Sequence, residues 1–247
     1  MVLLQRLVFA AACAGLLTGL LVTVVHQIGT VPVILRAESY EKAAEANHAA
    51  LAEAPHEHER HVWEPRDGVE RTAYTALADI LASIGYGLLL AAAFALAGSD
   101  IGPRAGLWWG LAGFATFTLA PGLGLPPELP GAGAAPLLDR QLWWLAAALA
   151  TGCGLALLAF AQRWIWTVLG LVLIVLPHLW GAPQAAEPGG TAPAVLAHQF
   201  VAAATVVSLL AWVALGILTA CFYQRFGRPD ASPSQPPPGA RRVPTPP

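Results

Sequence analysis

The chain has 247 residues, 56% of them apolar and only 11% charged, with a formal net charge of −2. Soluble domains carry about 25% charged residues, so this composition excludes a water-soluble globular protein. The balance of charge offers nothing to nucleic acid, and no nucleic-acid partner is expected.

The apolar residues fall into runs long enough to cross about 30 Å of hydrocarbon as helix. Lipid leaves no partner for open backbone groups, and the runs are too long for barrel strands. The expected fold class is therefore all-α, a polytopic membrane bundle of about six transmembrane helices. In chain order the spans are 7–27, 73–97, 105–123, 142–161, 164–180 and 196–222. The first could pass for a signal peptide, but the apolar run continues from Leu7 to Val25 without a convincing small-x-small cut site, so a retained span is expected. The third carries Pro121 and the fifth Pro177, both helix-interrupting. Gly15 with Gly19, and Gly106 with Gly110, stand four apart and predict close helix–helix contact.

Between the first two spans lies a polar stretch, 30–72. Its part "ESYEKAAEANHAALAEA" predicts a short helix outside the membrane, set off from the first span by Pro32. "PHEHERHVWEP" follows, and "DGVE" reads as a capping box with Asp67 as N-cap and Glu70 three residues on. Beyond the spans, the Pro-rich tail 227–247 predicts a disordered cytoplasmic segment after a membrane domain of 1–226. One face of a six-span bundle carries seven Lys and Arg close to span ends, against six on the other. That bias puts both termini in the cytoplasm.

Candidate chemistry concentrates in histidine, a common metal ligand. In extended backbone His56 and His58 share a face, and a bend brings His61 round, with Glu57 and Glu59 adding oxygen donors. The spacing is not H-E-x-x-H, which removes the zinc-protease reading. His26, His178 and His198 end or open spans on the same side as this loop. His178 follows Pro177, a helix break beside a polar ligand, as transporters use at binding sites. Asp79 lies inside the second span, where an ionisable side chain points to a transport path, with Thr75 one turn away. The nine tryptophans, several of them near span ends, read as an interfacial belt. Cys13, Cys153 and Cys221 form no C-x-x-C pair and read as packing residues.

The blocks "PHEHE", "LPPELPG" followed by "RQLWW", and "LPHLWGAP" resemble the CbtA family of predicted cobalt transporter subunits, from residue 1 to about 226. The resemblance implies cobalt uptake in a prokaryotic cytoplasmic membrane beside CbtB, a small single-span partner. Its histidine blocks fall here on His56, His58, His61 and His178. No phosphate-binding loop and no nucleophile–base pair occurs in the chain, so an enzyme is not expected. The leading expectation is an integral-membrane subunit for uptake of Co²⁺ or Ni²⁺, with no tightly bound cofactor. A binder or sensor of metal or haem that does not transport is the alternative. Besides lipid and the small subunit, a further copy of this chain is a candidate partner.

Overall fold

A computed structural model describes residues 3–51, 65–98, 101–185 and 189–227. The helices are α1 (Leu3–Gly29), α2 (Val31–Leu51), α3 (Val69–Ala97), α4 (Pro103–Phe114), α5 (Ala120–Gly124), α6 (Leu137–Phe160), α7 (Trp164–Trp180) and α8 (Ala194–Gly227). A π-helical turn, Ala115–Leu119, joins α4 to α5 in one continuous element. Among the described residues the only β pairing is a single bridge between Ala132 and Gly190. The protein is an all-α membrane bundle. Four helices, α1, α3, α6 and α8, have the length and hydropathy to cross a bilayer. The apolar α7 has 17 residues.

Proline explains the irregular element. Pro121 has no N–H for the Phe117 carbonyl, and its ring would strike that oxygen. The preceding turn widens, with the Ala120 N–H bonded to Ala115 O five residues back. In α7, Pro177 lies within the last turn, and the helix still reaches Trp180, where the Gly181 N–H closes on Pro177 O at 3.1 Å.

Glycine sets how the helices meet. A Cβ on Gly15 would come within 2.5 Å of the Ile84 backbone, and one on Gly19 within 2.5 Å of Ile80 Cα. The close contact expected of this pair is therefore made, between α1 and an antiparallel α3. Gly106 and Gly110 do the same for α4 against Gly216 and Trp212 of α8. In lipid, such approach replaces the hydrophobic drive with dispersion contact between backbones. The main core gathers Ala10, Ala14, Leu90, Phe94, Trp212 and Tyr223 from α1, α3 and α8.

Antiparallel packing sorts the helix ends into two groups. Arg6 Nε donates to Tyr223 O at 2.7 Å and its guanidinium covers the Tyr223 ring, so the start of α1 meets the end of α8. At the other end Gly29 faces Val207, and Gly124 lies against Trp143 and Ala182. The ends of α1, α5 and α7 and the starts of α3, α6 and α8 thus share one end of the bundle.

Three expectations change. The extramembranous helix begins at Val31, directly after Thr30, and is 21 residues long. Pro32 sits in its first turn, where a missing N–H costs nothing. Its Ala37 is buried with Leu129 and Leu196, so α2 is anchored to the bundle. The capping box does not form: Gly68 is the N-cap, without a side-chain bond, and Asp67 instead accepts from Arg71 Nη1 at 3.0 Å. Among the tryptophans, Trp108, Trp164 and Trp180 are exposed as a belt requires. Trp143 and Trp212 are buried; Gly124 leaves the room that the Trp143 ring fills. The three cysteines are free, each inside a helix.

Candidate metal path at one end of the bundle

Asp79 and His26 meet between α1 and α3. In this antiparallel pair His26 stands about 9 Å nearer the bundle end than Asp79, at 1.5 Å of rise per residue. Helical side chains lean toward their own N-terminus, so Asp79 reaches up and His26 reaches down. They converge at 3.8 Å between His26 Nε2 and Asp79 Oδ1, with both side chains partly accessible. The Thr23 hydroxyl donates to Asp79 Oδ2 at 2.9 Å, and it lies equally near the Gly19 carbonyl one turn below. On the other ring nitrogen, His26 Nδ1 bonds Thr30 Oγ1 at 2.6 Å. Thr75, one turn from Asp79, instead returns its hydroxyl to Arg71 O at 3.0 Å.

His178 sits at the same end in a different setting. Its ring meets Trp143 edge to face, with centroids 5.8 Å apart. The two line a cavity of 350 Å³ with Leu123, Gly124, Ala182 and Gln184. His198 is exposed in the second turn of α8. His56, His58, His61, Glu57 and Glu59 lie outside the described residues. Among the described residues no three His, Cys, Asp or Glu side chains come together as a metal-ligand set. Sequence position therefore gathers His26, His178 and His198 at one end, and packing joins only His26 to a second candidate, Asp79.

Above this pair is a more acidic mouth. Arg71 on α3 pairs with Glu38 of α2 and with Asp67, Nη1 lying 3.0 Å from Glu38 Oε2. A cavity of 590 Å³ opens there, where Glu41, Glu45 and Asp67 stand beside Lys42 and Arg66, with Pro65 at its border. Pro65 is the first described residue after the histidine-rich segment. Across the mouth, Glu128 of "LPPELPG" binds Arg140 of "RQLWW" at 2.9 Å, and Leu129 is buried against α2. Thr23, Thr30 and Glu128 were given no role from sequence. Thr23 and Thr30 flank His26 at helical spacing, a signal that could have flagged them.

The family model described as probable cobalt transporter subunit (CbtA) matches residues 4–224. The chain belongs to the CbtA family. The match covers α1 through nearly all of α8, and so takes in the His26–Asp79 pair, the His178 cavity and the ion pair across "LPPELPG". Subunit, in the CbtA description, implies a partner in the transporter, and cobalt a transported cation. No curated protein and no solved structure matches the chain.

Proposed function

We propose that this chain is the permeation subunit of a divalent-cation importer, with Co²⁺ as its substrate and Ni²⁺ as the nearest competitor. His56, His58 and His61, with Glu57 and Glu59, gather the ion outside the cytoplasmic membrane. His178, His198 and His26 receive it at the bundle end, and Asp79 carries it into the path. Both termini face the cytoplasm, and a small single-span CbtB-type subunit completes the transporter. One observation carries this reading: the three helix-end histidines and Pro65, which follows the histidine-rich segment, belong to the same end of the bundle.

Energetics favour inward passage without a nucleotide. The membrane potential contributes about 2.3 kcal/mol per charge per 100 mV, and a divalent ion gains twice that. Imidazole and carboxylate ligands suit Co²⁺, but Ni²⁺ and Cu²⁺ bind such sets more tightly. Competition is therefore part of the test. Radiocobalt should enter the lumen of sealed vesicles that carry this chain with its partner, and His178→Ala should lower uptake at limiting metal. Label that stays on the vesicle surface would identify a binding or sensing protein instead.

A further inference from the structure

We infer that His26 Nε2 and Asp79 Oδ1 act together as one cation-binding site inside the bundle, held in register by two threonine hydroxyls. This deepens the transport reading and rests on it. The inner atoms of the pair are 3.8 Å apart, too far for a hydrogen bond, whereas both outer atoms are bonded, Asp79 Oδ2 at 2.9 Å and His26 Nδ1 at 2.6 Å. With Nδ1 engaged by Thr30, Nε2 is the ring nitrogen left for a ligand, and with Oδ2 engaged by Thr23, Oδ1 is the oxygen left for it. Both face one gap. Two ligands about 2.1 Å from a first-row divalent ion stand about 3 Å apart at right angles. Side-chain motion of less than about 1 Å closes the gap on such an ion. Water completes its shell, since the pair is 27% and 17% exposed.

The fold supports this assignment in two ways. The α1–α3 contact is the tightest kind, backbone against backbone at Gly19 and Ile80, so the element bearing Asp79 is fixed against the one bearing His26. Of the three cations at the mouth, Arg71 is matched by Glu38 and Asp67 and Arg66 by Glu70, and with Lys42 they face four carboxylates, so an arriving ion meets no excess of positive charge. Thr23 and Thr30 are thus positioning residues. Hydrogen bonds of this kind orient metal ligands, and losing one costs about 10- to 100-fold in metal affinity.

The test uses the full-length chain in detergent and in vesicles, with Co²⁺ alone as probe. Paramagnetic shifts of imidazole protons report Co²⁺ on His26, assigned by their loss in His26→Ala. Thr23→Val and Thr30→Val should each weaken Co²⁺ binding and raise the KM for uptake by about 10-fold or more. Thr23→Ser, which keeps the hydroxyl, should restore both. Wild-type affinity in Thr23→Val and Asp79→Asn, with uptake intact, would overturn the shared site and leave the transport reading standing. Co²⁺ bound at His26 without any uptake would do the reverse. Equal weakening by Thr23→Val and Thr23→Ser would show that the methyl packing matters, not the hydroxyl, and would also overturn it.

Discussion

Replacing Gly19 by alanine should force α1 and α3 apart at the level of Asp79. A Cβ at this position lies 2.5 Å from Ile80 Cα and 2.7 Å from Ile80 N, whereas carbon atoms rest at about 3.5 to 4 Å. Relief requires the helices to separate by about 1 Å. The 2.9 Å bond from Thr23 to Asp79 would then stretch to about 4 Å and be lost. Overpacking costs about 1 to 3 kcal/mol, and a hydrogen bond to a carboxylate about 1.5 to 3 kcal/mol. The expected loss is therefore about 2.5 to 6 kcal/mol. It is read as the fraction of protein still monodisperse by size exclusion after heating in detergent, alongside cobalt binding. Gly85→Ala on the lipid side of α3 is the control: nothing lies within 4 Å of its Cβ, so the change should be neutral or mildly stabilising. A Gly19→Ala protein as heat-resistant as wild type would refute the close α1–α3 contact.

Removing the clamp between α2 and α3 should be milder. Arg71→Ala and Glu38→Ala should each cost about 1 kcal/mol, and a double-mutant cycle in chemical denaturation should show them coupled rather than additive. Across the mouth, Glu128→Gln should weaken the hold on Arg140 and speed proteolytic cutting between Pro126 and Pro136, while cutting elsewhere stays unchanged. Trp212→Phe removes the N–H that donates to Thr118 Oγ1 at 3.1 Å beside the π turn, but keeps the stack on Phe117. Lost bond and lost ring volume against Gly113 together should cost about 2 to 3 kcal/mol, and a loss no larger than that of an exposed Trp108→Phe would contradict the buried, bonded setting of this ring.

Hydropathy made the bundle legible, because a run of apolar residues in lipid has few alternatives to helix. Small residues four apart announced the Gly19 and Gly106 contacts, although only packing names Ile80 and Gly216 as the partners. The interruption at Pro121 was visible, and its form, a π turn, follows from the carbonyl that proline leaves unpaired. Local rules failed where a long side chain crossed between elements. Asp67 reads as a helix cap until Arg71 claims it, and Arg71 in turn reaches Glu38, 33 residues earlier. The same holds at the site. Asp79 stood out as an ion in an apolar run, but its nearest sequence neighbour of the right chemistry, Thr75, turns to its own backbone. Its true partners, Thr23 and His26, come from another helix and are set by the antiparallel register of α1 against α3.

The transport proposal requires cations to enter from outside at the end of the bundle that bears His26, His178 and His198. Site-directed labelling in intact cells tests it most directly, in a chain with Cys13, Cys153 and Cys221 replaced by alanine. His58→Cys and Gln184→Cys should react with a membrane-impermeant maleimide from outside, and Arg104→Cys only after permeabilisation. Reaction of positions 58 and 184 from opposite sides, or of both only from within, would rule out cation entry at this end.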